Sequence, residues 1–372
     1  MTAASIAGAV GKPFRRSGVT PASYDRDAST FATPARKLVL VLGLVGVYFL
    51  PGLLDAQYMS IANFAWIAII GAVGLNLLTG YAGQVSLGQA AFLGIGAFSA
   101  VVVLKAVSVG LLLGVPIGGC VAALVGLLIG LPSLRFRGFY LALTTLALNF
   151  IAIYVLQKYQ TDQNALTGFS LPTQNLGPFS FKTDHDWYYL LAVLGLVAIL
   201  FSNNLVHSRT GRAWMAVRDR DIAASIVGVN VTRAKLSAFM VSSFMAGCAG
   251  ALLAYYQGNI SVSGFNLNLA ISYVAMIIIG GLGTTSGAVI GAVIISALPY
   301  WITDLVNALP QHLSVVESLQ NSIYAVQSGV YGLIIILFLI FESRGVVAVW
   351  LRLKAWLLLW PYQRRGIMET EE

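Results

Sequence analysis

The sequence predicts an all-α polytopic membrane protein, and three observations carry that expectation. Only 10% of its 372 residues are charged and 58% are hydrophobic, where a soluble domain carries about 25% charge. Apolar runs of bilayer-crossing length, about 20 residues, recur between Leu38 and Phe341. All but Lys105, Lys158 and Lys182 of the 22 lysines and arginines fall in four segments: the N-terminal tail, Arg135 with Arg137, the loop 206–235, and the C-terminal tail.

Taken in order, residues 1–37 are polar and basic. They lack the apolar core of a signal peptide and have the composition of a disordered tail. Full spans are expected near 38–54, 61–79, 88–104, 107–131, 139–157, 187–205, 236–256 and 323–341, about eight in all. The clustering of positive charge places all four basic segments in the cytoplasm. The net charge of +8 is therefore a topology signal, and no nucleic-acid partner is expected. Cys120 and Cys248 lie in apolar runs and are expected as small packing residues. No metal or cofactor is expected on this chain: His185, His207 and His312 are far apart and lack metal-ligand spacing, and no lysine sits in a P-loop context.

The topology also tests the run 271–299. If it crossed once, the Arg-rich tail would end outside. It must cross twice or re-enter, yet its length is too short for two full spans. A glycine-rich break at its middle, Gly280 to Gly287, therefore predicts two half-length helices meeting at a polar turn, with 300–321 outside. A first break lies at 74–98, GLNLLTGYAGQVSLGQAAFLGIGAF. Irregular backbone at membrane depth is tolerated only where protein or a water-filled cavity covers it, and transporters place substrate at such breaks. The expected pathway residues are Asn76, Thr79, Tyr81, Gln84, Ser86 and Gln89 from the first break, and Gly281, Gly283 and Thr284 from the second.

Small residues recur every fourth position from Gly110 to Gly130, at Ala246, Gly250 and Ala254, and at Gly283, Gly287 and Gly291. Such stripes let helix backbones approach closely, either inside the chain or at a subunit interface. None of the fourteen acids sits at the middle of a span. Ion-coupled carriers commonly keep one there, so energy is expected from elsewhere.

The loop 206–235 is where it could enter. Asp219 is placed to N-cap a short helix, Asp221 sits in its first turn, and Gly228 is a natural stop. Ile222, Ala223, Ile226 and Val227 form an apolar face at helical spacing. A solvated topology anchor would account for the charges but not for that face, which predicts a docking helix.

Four motifs in this order carry a family resemblance: the break 74–98; LRFRGFYLALTTLA at 134–147; GRAW with GVNVTRAKLSAF and AGCAGALLAYYQGNIS; and IIIGGLGTTSGAVIGA. Over roughly 60–355 the chain resembles the permease subunits of ABC importers for branched-chain amino acids, the LivM type more than its LivH partner. The resemblance implies the ABC importer permease fold in the inner membrane, with residues 1–37 a cytoplasmic tail, 38–343 the transmembrane domain and 344–372 a second cytoplasmic tail. It implies a related LivH-type permease, two ATP-binding subunits and a periplasmic solute-binding protein as partners, with ATP bound only by those partners. Ala223, Ala224 and Gly228 give AAxxxG, similar to the coupling loop of such importers. The coupling residues it implies are Arg212, Arg218, Asp219, Asp221, Ala223, Ala224 and Gly228. Asn149 stands where the family often has an acid and Ser343 where it often has proline, so urea, short amides or aromatic acids remain alternative solutes. Outside the family, the alternatives are a stand-alone secondary carrier and a non-transporting scaffold.

Overall fold

A computed structural model describes residues 43, 45–52, 54–107, 110–133, 139–165, 167–172, 175–176, 179–181, 183–308, 322–341 and 345–359. Its contacts divide the chain into units 1–46 and 47–372. In the first, only Gly43, Val45 and Gly46 are described, as helix, so the whole tail 1–37 and residues 38–42, 44 and 53 of the expected span 38–54 lie outside the described residues. The second unit holds the helical bundle.

After a 3-10 turn at Leu50–Gly52, α1 runs over Ala56–Asn76 and continues as a π turn, Leu77–Tyr81. Then come α2 (Gln89–Val107), α3 (Leu111–Ser133) and α4 (Phe139–Asp162). The strands β1 (Phe169–Ser170), β2 (Asn175–Leu176) and β3 (Phe179–Ser180) precede α5 (Asp184–His207). Two short helices, α6 (Arg209–Asp219) and α7 (Asp221–Ile226), lead into α8 (Val231–Gln257). The strand β4 (Asn259–Ile260) pairs antiparallel with β1. The chain closes with α9 (Leu267–Gly280), α10 (Thr285–Ala308), α11 (Ile323–Phe341) and α12 (Gly345–Leu359). Seven helices among the described residues are long and apolar enough to cross a membrane, where the sequence predicts about eight full spans.

α1 is the axis of the bundle. Its apolar window is 83% buried, against 28–61% for the other six candidate spans. It packs on α5, α8, α9 and α10. It has no polar side to show water, so it reads as apolar all round. α8 is the second axis, in contact with α1, α2 and α3. The small-residue stripes serve these internal contacts. A side chain on Gly118 would strike the Gly96 carbonyl, one on Gly126 would strike Ser243, and one on Gly250 would strike the Leu93 carbonyl. Gly287 and Gly291 do the same for α9 against α10. Close backbone approach takes the place of the hydrophobic driving force that lipid removes.

The half-length pair expected in 271–299 is corrected in one arm. α9 has 14 residues, about 21 Å. α10 has 24, about 36 Å, and continues past 299 through Pro299. Ile302 and Val306 are buried one turn apart beyond the proline, so the apolar periodicity carries Asp304 on the helix, not in a loop. Within the segment 344–372, expected as a cytoplasmic tail, residues Gly345–Leu359 form a helix, α12.

The helix ends sort into two sets. At one end, Asn63 of α1 donates to the Asp184 carbonyl (2.9 Å) and Tyr256 of α8 donates to the Asp184 carboxylate (3.1 Å). α5 starts there on a reciprocal capping box of Thr183 and Asp186, which satisfies orphan donors at both positions. At the other end lie the π turn, the loop 208–230 and the turn between α9 and α10.

Filling the α2–α8 contact tests this packing. Gly250→Val is expected to lower the stability of the detergent-purified protein by about 2 kcal/mol, the scale of core overpacking. A thermal melt against wild type checks it.

Candidate functional site: the junction of two helix breaks

The two glycine-rich breaks meet. Asn76, 1% exposed, donates its amide to the Thr284 carbonyl (3.0 Å) and accepts from the Gly283 N–H (2.9 Å). One carboxamide thus uses both its donor and its acceptor side to bind a turn 207 positions away. The Tyr81 hydroxyl lies 3.4 Å from the Thr285 hydroxyl and adds a second tie. Gly80 has no room for a side chain, because a Cβ there would fall on Asn76 Oδ1 and on Gly283 N. Gly283 has φ +75°, a conformation that glycine adopts without steric cost.

The π turn and the α9–α10 turn meet at one end of the bundle. They lie at the end of the bundle that holds the loop 206–235. Arg218 of α6 donates to the Gly80 carbonyl (2.6 Å), and Gln84 donates to the Lys235 carbonyl (3.2 Å). α1 has 21 residues when the π turn begins, about 31 Å. The chain then turns back in extended form, and α2 starts partway along α1, where Gln89 donates to the Gly71 carbonyl (2.9 Å).

The expected pathway side chains are mostly engaged with backbone. Thr79 donates to the Gln84 carbonyl, Ser86 accepts from the Gly88 N–H, and Thr284 donates to the Gly281 carbonyl. Thr145 of α4 accepts from Leu87 N–H (2.9 Å). Gln84, Ser86 and Gln89 are each at most 5% exposed. They hold the returning segment, whose backbone groups would otherwise go unpaired. The exposed residues of the segment are Gly83 and Val85. Asn149 of α4 is fully buried, and neither amide atom has a hydrogen-bond partner.

The loop is held as tightly. Gly211, Trp214 and Val217 form the buried stripe of α6, and Trp214 Nε1 donates to Ser237 Oγ of α8 (3.0 Å). Asp219 closes α6 and does not cap α7, whose N-cap is Arg220. Asp221 does sit in the first turn of α7 and pairs with Lys235 (3.7 Å). α7 ends in a Schellman motif. Val229 N–H donates to the Ala224 carbonyl (2.9 Å) and Gly228 N–H to the Ser225 carbonyl (3.1 Å), with Gly228 at φ +93°.

Ala224 is 5% exposed and faces inward, whereas Ile222, Ile226 and Val227 are 67%, 81% and 84% exposed. Ala223 is exposed beside them. Arg212 donates to the His207 carbonyl (3.2 Å). Sequence reasoning finds the apolar face from its spacing, but not the reach of Arg218 or the paired Asn76, since nothing local marks contacts of 138 and 207 positions.

A family model described as "Branched-chain amino acid transport system / permease component" matches residues 57–339. The "High-affinity branched-chain amino acid transport system permease protein LivM" of Salmonella typhimurium is 33% identical over 288 residues, covering 71% of this chain and 68% of the relative. The protein of the same description from Escherichia coli is 31% identical over the same shares. The "Probable branched-chain amino acid transport permease protein LivH" of Methanocaldococcus jannaschii is 27% identical over 62% of this chain and 76% of its own. No solved structure matches the chain significantly.

Removing the Asn76 carboxamide should show what the junction is worth. Asn76→Leu leaves Gly283 N–H and the Thr284 carbonyl without their partner, and each buried group left so costs about 1–3 kcal/mol. The expected outcome is a membrane-inserted protein with a clearly lower thermal midpoint and faster proteolysis at 281–285. A midpoint equal to wild type would show that the tie carries no stability.

Proposed function

The chain belongs to the permease-component family of branched-chain amino acid transport systems, and on that premise we propose that it works as the LivM-type subunit of an ATP-driven importer. It is a multi-pass membrane protein and a transport subunit, not an enzyme. The solute we assign is a branched-chain or related amino acid. ATP hydrolysis is assigned to two separate ATP-binding subunits, and a LivH-type permease and a periplasmic binding protein complete the complex. Both termini are assigned to the cytoplasm by the distribution of lysine and arginine.

The observation that carries this reading is α7. It is a six-residue helix, too short to be stable alone. Yet it is braced by an ion pair, a Schellman motif and a buried Ala224, and it presents Ile222, Ile226 and Val227 outward. Apolar side chains held on a short rigid helix at a water-facing loop fit a hydrophobic groove on a partner. ATP-driven closure of the partners would then move α7, and through it the junction. The break residues, from Asn76 to Gln89 and from Gly281 to Thr284, are assigned to the wall of the pathway.

Ile226→Asp should leave the melt of the isolated protein unchanged, because the side chain is exposed. It should abolish both capture of a P-loop ATPase in a mild-detergent pull-down and ATP-dependent uptake. Ala224→Arg should instead lower the melting midpoint, because it places a cation in a buried site. Uptake by Ile226→Asp at wild-type rate, or uptake by this chain alone without ATP, would overturn the reading in favour of a secondary carrier. A labelled panel of leucine, urea, a short amide and an aromatic acid then sorts the solute.

A further inference from the structure

We infer that Arg218 is the positioning residue that carries movement of α7 into both helix breaks. The inference rests on the reading of the chain as an importer permease. Arg218 lies one residue before the end of α6, and only Arg220 separates α6 from α7. Its guanidinium reaches Gly80 in the π turn, where Nη1 donates to the carbonyl at 2.6 Å. The last carbonyls of a helix lack intrahelical partners and carry the negative end of its dipole. A cation there makes a charge-assisted bond, roughly twice as strong as a neutral one.

The same group serves the second break. A side chain on Gly283 would meet Arg218 Nη1 at 3.1 Å, and one on Gly80 would meet Gly283 N. The guanidinium, the π turn and the second break therefore lie side by side with no room for a side chain between them, and Asn76 is bonded across the two breaks. The path runs from α6 to Gly80, to Asn76, to Gly283. The competing contact of Arg218 is weak. Its Nε lies 3.4 Å from Asp219 Oδ1, and that carboxylate is 70% exposed, where ion pairs contribute little.

The test is a coupling ratio. The complete importer, with its partner permease, ATPases and binding protein, is reconstituted in proteoliposomes, and solute uptake and ATP hydrolysis are read from the same sample. Arg218→Ala is expected to assemble with the ATPases and hydrolyse ATP, but to move about tenfold less solute per ATP, the scale of one charge-assisted hydrogen bond. Arg218→Lys, which can still donate to the Gly80 carbonyl, should recover most of the ratio. Arg209→Ala, an exposed cation of the same helix, should match wild type. Gly83→Ala is an independent variant that leaves the arginine in place. A Cβ there would sit 2.6 Å from Arg218 Cγ and push the side chain off its carbonyl, so the ratio should fall again. An unchanged ratio in Arg218→Ala or Gly83→Ala overturns the proposal, as does failure of Arg218→Ala to capture the ATPases, which would make Arg218 a docking residue. Absence of ATP-dependent uptake by wild type would instead overturn the importer reading itself.

Discussion

The Asn76 carboxamide is the contact on which the rest of the architecture depends. It binds both faces of a backbone turn from the other end of the chain and so fixes where α1 stops, where α9 gives way to α10, and what Arg218 can reach. Without it the π turn and the 281–285 turn would each need water or some other partner for their polar groups. With it, the two most irregular stretches of the molecule cover one another. The glycines are a consequence of that requirement, because Gly80 and Gly283 leave no space for side chains between the two backbones.

The same economy governs the helices around it. Lipid offers no hydrophobic reward for bringing helices together, so the bundle depends on close approach and on neutral hydrogen bonds. α8 buries glycine, alanine and serine along most of its length, while Leu112, Leu124, Leu128 and Tyr154 point outward and stay exposed. In the seven candidate spans, charge is confined to residues near the ends. Lys235 and Asp221 pair where α7 meets α8, with side chains 17% and 23% exposed, and Arg218 is spent on a carbonyl. The loop is thereby a braced part of the bundle, and its three exposed apolar side chains stand on a rigid base.

Much of this was legible in the sequence. Apolar run length located most spans to within a few residues, because a bilayer imposes one length on every crossing. Gly280 to Gly287 marked a turn, and Gly228 marked the stop of α7 by its tolerance of positive φ. The spacing of Ile222, Ile226 and Val227 gave the outward face. The length of the second arm of the pair in 271–299 was misread. Glycine and amides signal irregular backbone, but the continuation of α10 past Pro299 could be seen only once Ile302 and Val306 were packed. Asp219 looked like an N-cap because it precedes a helical pattern by the right interval. In the fold, the interval belongs to the end of the previous helix. Amides such as Gln84 and Gln89 looked like solute ligands and are held by the chain's own carbonyls.

The placement of the junction at a bundle end bears on how the chain is made. Asn76 leaves the ribosome 207 residues before the Gly283 N–H that it accepts from. During that interval the helices between the two breaks are synthesised while the π turn lacks that partner. At the centre of the bilayer such a wait would leave a carboxamide and several carbonyls facing hydrocarbon. At the end of the bundle, interfacial water can serve as a temporary partner. The later arrival of the α9–α10 turn then gives the carboxamide its protein partners in place of that water.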